Sequence, residues 1–416
     1  MPCSDAKHPC TVKRIYIPVP NLMNPLAAEQ LVAFRLRRTV LKSGATMCNA
    51  TRAIILLVCL VVAGCSQASK TVDVSGNRGS PQPGQTTPAS TASPSPEVAP
   101  LKVPDKVSSG EVTEAGGRWS TAVQNITYLS SADNTRQPMM FYKPQTDESR
   151  PLLVALHSWS ANYQQAESVI YSEWCIANDW IFIHPNFRGP NVRPQATGSE
   201  LVIGDILSAI DYAKSNSRVD ESRIYAVGWS GGGYLGLLLA GRAPEIWAGV
   251  SAWVPISDLN AWYEESTRLG TKYVREIAAS CGGSPTREPA AANECWKRSP
   301  LTYLERARGV PIHMNHGIRD GRSSADPVPV SQSLRAFNLL AAPQERFTED
   351  EITYFTREAQ VPAHLRSDTS DPLSGGLRIL FQRQSGNARV TIFDGAHDKN
   401  TEAAFRWLNE QRRRQT

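Results

Sequence analysis

Ser230 stands between Gly228 and Gly232 in the run Arg223-Ile224-Tyr225-Ala226-Val227-Gly228-Trp229-Ser230-Gly231-Gly232-Gly233-Tyr234-Leu235. The apolar residues before it have the length of a buried strand, and the Leu- and Ala-rich residues after it read as helix, so the serine falls at the apex of a very tight turn. Backbone at such an apex is strained, and the chain passes so close to itself that glycine is required two places before and two places after. The helix N-terminus then directs partial positive charge at the hydroxyl and at any anion formed beside it. A serine so placed can act as a nucleophile if a base takes its proton. His397 fits that role best, because it follows a buried strand, lies close to Gly395 and belongs to no apolar helical face. His157, His184, His313, His316 and His364 compete with it; His313 lies inside a strand and His184 precedes Pro185 at a strand end, which are structural positions. A turn without chemistry and a surface histidine are the plain alternatives for Ser230 and His397.

The elements that must position these residues can be read along the chain. Arg118–Tyr128 and Met139–Lys143 read as opening strands, and Pro151–Leu156 and Trp180–Pro185 are continuous apolar runs suited to strands covered on both faces. Ala161–Ala177 reads as a helix, and Glu200–Lys214 repeats Leu201, Ile203, Ile206, Leu207 and Ile210 at helical spacing. Further strands are expected at Trp247–Val254, Val310–Gly317, Leu377–Gln382 and Ala388–Phe393, with helices at Pro329–Leu340 and Glu402–Arg413. Alternation of apolar strands with helices implies an α/β architecture, a mostly parallel sheet with helices on both faces. Two stretches break the rhythm: Pro255–Pro300, and the polar Ala342–Ser374, whose role is open.

An acid belongs between the serine and the histidine in chain order, and the succession Ser, acid, His is that of the α/β-hydrolase fold. The body from about Arg118 onward resembles that superfamily, in its prolyl-oligopeptidase-type and bacterial carbohydrate-esterase-type branches. The motifs that carry the resemblance are Leu156-His157, Gly228-Trp229-Ser230-Gly231-Gly232, His316-Gly317-Ile318-Arg319-Asp320 and Gly395-Ala396-His397-Asp398. The resemblance implies that Asp320, at the family spacing from Gly317, holds the imidazole in its working tautomer. Asp326 is the rival: relatives place the acid just ahead of a Val-Pro pair, and Gly321–Ala325 looks inserted. If Asp326 is not the acid, it should cap the helix that follows. Asp398 is too local to orient its neighbour. The resemblance also implies an oxyanion site made of two backbone amides, one from Gly231 and the other from Ser158 or Trp159. Relatives carry His-Gly where this chain has His157-Ser158, which leaves the choice open. Trp159, Tyr163, Trp229, Trp253, Trp262 and Tyr263 would wall a substrate site or else be core. Arg188, Arg193, Arg319 and Arg322 would favour an anionic substrate or else be solvated loop charge. Residues 255–305 fall where this fold often carries a lid.

Composition sets the outer bounds. In 416 residues, 41% are hydrophobic and 20% charged, enough for a sizeable core. The net charge of +5 is modest and lies largely at the termini, and no basic stripe with interleaved aromatics occurs in the middle, so nucleic acid is not an expected partner. Met47 begins a short segment ending in Arg52 and followed by an apolar run, Ala53–Ala63, too short to span a bilayer but suited to a signal peptide. Val62-Ala63-Gly64-Cys65 resembles a bacterial lipobox, which implies cleavage before Cys65, lipid on its thiol, and a protein held at a membrane in the cell envelope. A plain signal peptide or short anchor helix is the other reading, and either exports the chain. Residues 1–46 are then an upstream extension, 47–65 the signal peptide, 66–112 a Ser/Thr/Pro-rich tether and 113–416 the hydrolase domain. Export favours a disulfide between Cys281 and Cys295, which would close a short loop and brace the lid, while Cys175 reads as a buried apolar residue. No Cys/His spacing suits zinc, and no metal or cofactor is expected.

These expectations point first to an exported serine hydrolase of carboxylic esters, its substrate a small-molecule or carbohydrate ester. A peptidase of prolyl-oligopeptidase type is the second reading, disfavoured because the region before Arg118 reads as tether rather than propeller. A non-catalytic binding protein on the same scaffold is the third, disfavoured because all three residue types occur in the right order.

Overall fold

The structure is a computed structural model that describes residues 100–104, 118–367 and 370–413. The upstream extension, the signal peptide with Cys65 and most of the tether lie outside the described residues. Residues 100–104, assigned above to the tether, lie on the body instead. Leu101 packs on the apolar layer that contains Trp174 and Phe405. Lys102 N donates to Asn178 Oδ1 (2.7 Å), and Asn178 Nδ2 donates back to Lys102 O (2.9 Å). Leu101 interrupts the Ser/Thr/Pro composition at this point and gives the chain something to bury.

The strands are β1 (Gln124–Leu129), β2 (Arg136–Tyr142), β3 (Arg150–Leu156), β4 (Ile181–Pro185), β5 (Val219–Trp229), β6 (Gly249–Trp253), β7 (Ile312–Gly317), β8 (Ile379–Ser385) and β9 (Ala388–Phe393). The helices are α1 (Val169–Ala177), α2 (Glu200–Asn216), α3 (Gly231–Arg242), α4 (Leu259–Leu269), α5 (Tyr273–Cys281), α6 (Pro289–Arg298), α7 (Ser331–Leu340), α8 (Glu349–Glu358) and α9 (Thr401–Asn409). The strands form one nine-stranded sheet in the order β1-β2-β4-β3-β5-β6-β7-β9-β8. The interior from β4 to β9 is parallel, while β1, β2 and β8 run antiparallel to their neighbours at the two edges.

Alternation along each central strand divides the core into two layers. On β3, Leu152, Val154 and Leu156 face one side, with Ile206 and Ile210 of α2, Leu235 of α3 and Leu334 of α7. Leu153 and Ala155 face the other, with Tyr171 and Trp174 of α1 and Phe405 and Trp407 of α9. Both faces being covered, β3, β4 and β6 are mostly apolar, and β7 is buried throughout although it carries His313, Asn315 and His316. The parallel strands all deliver their carboxyl ends to the same edge of the sheet, where loops meet and sites form.

The elements depart from expectation in instructive places. The helix expected from Ala161 begins only at Val169, after a short 3-10 turn at Ala166–Ser168; residues 158–165 are a loop whose polar side chains bind the backbone. Val123 N donates to Ser120 O (2.9 Å) in a turn, so the first strand starts at Gln124 rather than Arg118. Pro255–Pro300 is a unit of three helices, α4 to α6, whose apolar residues Leu259, Trp262 and Ile277 join the main core. Asp258 caps α4 by accepting from Asn260 N and Ala261 N. The polar stretch after Ala342 contains α8, started by a capping box in which Thr348 and Glu351 satisfy each other's backbone. Cys281 and Cys295 are bonded, joining the end of α5 to α6, and Cys175 is buried and free. Among the described residues no helix is long and apolar enough to cross a membrane.

Candidate active site

The turn between β5 and α3 places Ser230 at φ 58°, ψ −119°, a conformation that an L residue adopts only under constraint. The constraints are visible on both sides. Ser230 N donates to Trp253 O on the adjacent strand (2.9 Å), and its carbonyl accepts from Tyr234 N in the first turn of α3 (2.9 Å). A Cβ on Gly228 would lie 2.2 Å from the carbonyl carbon of Gly232, and one on Gly232 would lie 2.1 Å from Leu156 O. Those two positions therefore require glycine, for lack of space rather than for a positive φ. The result is a nearly buried hydroxyl, 6% exposed as a residue, at the N-terminus of a helix.

His397 arrives on the loop after β9. Its Nδ1 donates to Asp320 Oδ2 at 2.6 Å. The other carboxylate oxygen of Asp320 accepts from Gly321 N (2.8 Å) and Val328 N (3.0 Å), and the side chain is fully buried. Three donors thus fix the carboxylate, and the carboxylate fixes the ring. Trp229 links this loop to the nucleophile turn: its indole N–H donates to His397 O (3.1 Å), and the two rings lie 5.3 Å apart. Lys399 lies over the Trp229 and Tyr171 rings and donates to Glu167 O; burial pulls its ammonium down to about 8. Among the described residues Ser230 Oγ and His397 Nε2 form no hydrogen bond with each other or with another group; such contacts commonly shorten only in the substrate complex.

Asp326 is not placed as an acid. Its Oδ1 accepts from the backbone N of His397 (3.4 Å) and its Oδ2 from Ser323 Oγ (3.0 Å). Nor is it a helix cap, because α7 starts at Ser331 behind Val330 with no side-chain cap. It ties the 321–326 loop to the histidine loop instead.

The two amides offered by the sequence, Ser158 and Trp159, differ in what they bind. Ser158 N donates to Gln165 Oε1 at 2.7 Å and so is not available to a substrate. The Trp159 amide is the one at hand: a Cβ on Gly231 would sit 2.3 Å from Trp159 N, so the two stretches touch. Gly231, as the first residue of α3, has no carbonyl one turn back to receive its N–H. The amides of Gly231 and Trp159 are then the pair that can face a developing oxyanion.

The remaining histidines are in structural settings. His316 lies between Ser333 Oγ (2.8 Å) and Val328 O (2.9 Å), 3.6 Å from Asp320, with burial lowering its pKa. His313 meets Thr391 Oγ1 (2.8 Å), His184 meets Tyr163 O (2.7 Å), and His364 pairs with Glu351 on the surface (2.8 Å). His157 has a carbonyl at 3.0 Å from each ring nitrogen, Ser158 O and Asn186 O, while burial pushes its pKa down to about 4. Among the aromatics, Trp253 is core against Phe393, and Trp159 and Trp262 are core as well, 1% and 0% exposed, forming with the half-buried Tyr273 a run of rings with centroids 4.8 and 4.7 Å apart. Tyr163 and Trp229 are partly exposed, and Tyr263 bonds Ser284 Oγ at 3.0 Å. The loop arginines are engaged within the protein. Arg188 pairs with Asp133 and Asp205, Arg193 binds Arg188 O, Arg319 pairs with Asp394, and Arg322 binds Arg357 O. Among the described residues no cluster of His, Cys, Asp and Glu could hold a metal ion. Gln165, Asn191 and Lys399 had no signal in the sequence, since each acts through contacts far from its own local pattern.

Comparison with known proteins bears on the same region. Residues 195–358 match the model of the prolyl oligopeptidase family, a span that includes Ser230 and Asp320 and stops short of His397. Feruloyl esterase B of Thermothelomyces thermophilus is 26% identical over 137 residues, 30% of this chain and 46% of that protein. Acylamino-acid-releasing enzyme 2 of Oryza sativa subsp. japonica is 24% identical over 242 residues, 54% of this chain and 29% of that protein. Both matches span less than half the length of these curated relatives. Among solved structures, Pyrococcus horikoshii acylaminoacyl peptidase superposes with a TM-score of 0.42 at 20% identity, over 52% of this chain and 34% of that one. A thermostable esterase does so with a TM-score of 0.42 at 17% identity, over 70% and 63%. With a largely parallel sheet, a strained serine between β5 and α3, an aspartate after β7 and a histidine after β9, the chain has the α/β-hydrolase fold.

Proposed function

We propose that this chain is a serine hydrolase that cleaves carboxylic esters through an acyl-enzyme on Ser230. The observation that carries the reading is the fixed pair of Asp320 and His397, 2.6 Å apart, joined through Trp229 to a strained serine at a helix N-terminus. In this reading Asp320 keeps the imidazole hydrogen on Nδ1, so Nε2 is the free base. His397 takes the Ser230 proton as Oγ attacks the ester carbonyl. The amides of Gly231 and Trp159 receive the oxyanion, and His397 returns the proton to the departing alcohol. Water then attacks the acyl-enzyme by the same route, with His397 again acting as base.

The ester reading is supported by the similarity to feruloyl esterase B. The peptidase reading has its own support, in the family match and in the acylamino-acid-releasing relatives. A panel of acetyl, aryl and sugar esters beside acyl-peptides and peptide amides separates the two. Faster turnover of esters is expected; efficient peptide cleavage without ester cleavage would reverse the order, and no turnover with either class would favour a binding protein. Export and lipid attachment at Cys65 belong to the same proposal and rest on the lipobox-like Val62–Cys65 alone.

A further inference from the structure

The Ser158-Trp159 peptide is held from several sides, and its one unengaged donor is the one that the proposed chemistry needs. Ser158 N is bound by Gln165 Oε1 at 2.7 Å. Trp159 O receives two donors from Asn191, its backbone N at 2.8 Å and its side-chain Nδ2 at 3.3 Å. Asn191 is itself fixed, because its Oδ1 accepts from Thr197 N (2.9 Å). Ser158 O lies 3.0 Å from His157 Nδ1. A trans peptide points its C=O and the following N–H to opposite sides, so holding Ser158 O against His157 turns the Trp159 N–H the other way.

The contact with His157 cannot do this alone. A neutral imidazole has one N–H, and His157 faces carbonyl oxygens with both nitrogens, Ser158 O and Asn186 O, at equal distance. The hydrogen can serve only one of them at a time. The Gln165 contact is free of that ambiguity: an amide oxygen accepts from a backbone N–H in either histidine tautomer. Gln165 is also well anchored, 5% exposed, with its own N donating to Asn162 O (3.1 Å) and its carbonyl accepting from Ser168 N (3.1 Å). This explains why residues 158–165 form a folded-back loop where a helix was expected: the loop carries Gln165 to the start of the His157–Trp159 segment.

We propose that Gln165 is a positioning residue for the oxyanion-binding amide of Trp159, with Asn191 holding the far side of the same segment. The assignment rests on the hydrolase reading above. Loss of the Gln165 carbonyl frees the Ser158 amide to seek another acceptor and lets the Trp159 N–H swing from its aim. The binding of ground-state substrate, which does not need that donor, stays the same.

The test compares wild type, Gln165→Met and Gln165→Glu in the full chain, with p-nitrophenyl acetate turnover, affinity for an aryl boronic acid, and thermal melts. Met keeps the length and removes the acceptor; Glu restores an acceptor oxygen. Removal of one oxyanion donor costs on the order of 10²–10³ in kcat, and displacing one should cost roughly 10–100-fold. The expected result is that loss in kcat for Gln165→Met with KM within about 3-fold, a parallel loss of boronate affinity, and recovery of most of kcat in Gln165→Glu. Unchanged kcat in Gln165→Met, or equal losses in both variants that follow their melting temperatures, overturns the assignment while leaving the hydrolase reading intact. A folded wild type with no turnover on esters or peptides and no boronate binding overturns the hydrolase reading, and the assignment with it.

Discussion

Replacing Asp320 with asparagine should leave the fold intact and remove nearly all turnover, and the surrounding hydrogen bonds dictate how. In the native site Oδ1 is held by two backbone donors, Gly321 N and Val328 N, and Oδ2 faces His397 Nδ1 at 2.6 Å. An asparagine has one acceptor oxygen. The two backbone N–H groups will claim it, which turns the side-chain NH₂ toward His397. His397 Nδ1 must then accept rather than donate, so the ring hydrogen moves to Nε2, the atom that should take the serine proton. The wrong tautomer and the loss of a carboxylate beside the forming imidazolium together cost on the order of 10⁴ in kcat, or about 5 kcal/mol at 1.36 kcal/mol per factor of ten. Asp326→Asn should cost less than about 10-fold, because Asp326 meets only the backbone of His397, at 3.4 Å, and Ser323. The assay is kcat and KM on an activated ester for both variants, with a melt to confirm folding. A large kinetic loss in Asp326→Asn together with near-native turnover in Asp320→Asn would refute the reasoning.

Other outcomes follow from the packing and from the sequence. Reducing the Cys281–Cys295 bond, which closes a separation of 14 residues, should remove about 3 kcal/mol of stability and lower the melting temperature by roughly 5–10 °C; identical melts with and without reductant would contradict it. Stability should also fall as pH drops from about 6.5 toward 4. Burial depresses His157 to about 4 and His184 to about 3, so in that window the unfolded chain binds protons that the folded chain refuses. Since unfolding takes up protons there, acid favours it; the His157 contribution, present in full above about pH 6.5, amounts to about 3 kcal/mol and is lost by pH 4, and a melting temperature flat from pH 7 to 4.5 would count against it. Cys65→Ala should release the protein from membranes or block its maturation, as read from Val62–Cys65; unchanged partition and processing would sink the anchor.

What the sequence revealed was what local physics decides. The turn at Ser230 was legible because close backbone approach demands glycine at Gly228 and Gly232 whatever surrounds it. The strands β3 and β4 were legible because burial on both faces leaves a nearly unbroken apolar run. The histidine after β9 and the aspartate after β7 come into register only through the pairing of those two strands, which chain order suggested and spacing could not prove. What was not legible depends on partners distant in sequence. That Ser158 N is taken up by the side chain of Gln165, and that Arg188 and Arg319 are neutralised by Asp133, Asp205 and Asp394, depends on such partners. The α8 helix is a different case: Thr348-Glu349-Asp350-Glu351 is a capping-box pattern that announces a helix start within a stretch whose polarity concealed it.

The central claim is that Ser230 is a nucleophile activated by its surroundings, and active-site labelling tests it most directly. A fluorophosphonate probe applied to the folded body, with the labelled peptide mapped by mass, should mark Ser230 and no other serine. Ser230→Ala should abolish the label and lower ester turnover by at least about 10³-fold with its melt unchanged. A label that persists in Ser230→Ala, or ester turnover that survives the substitution, would contradict the account.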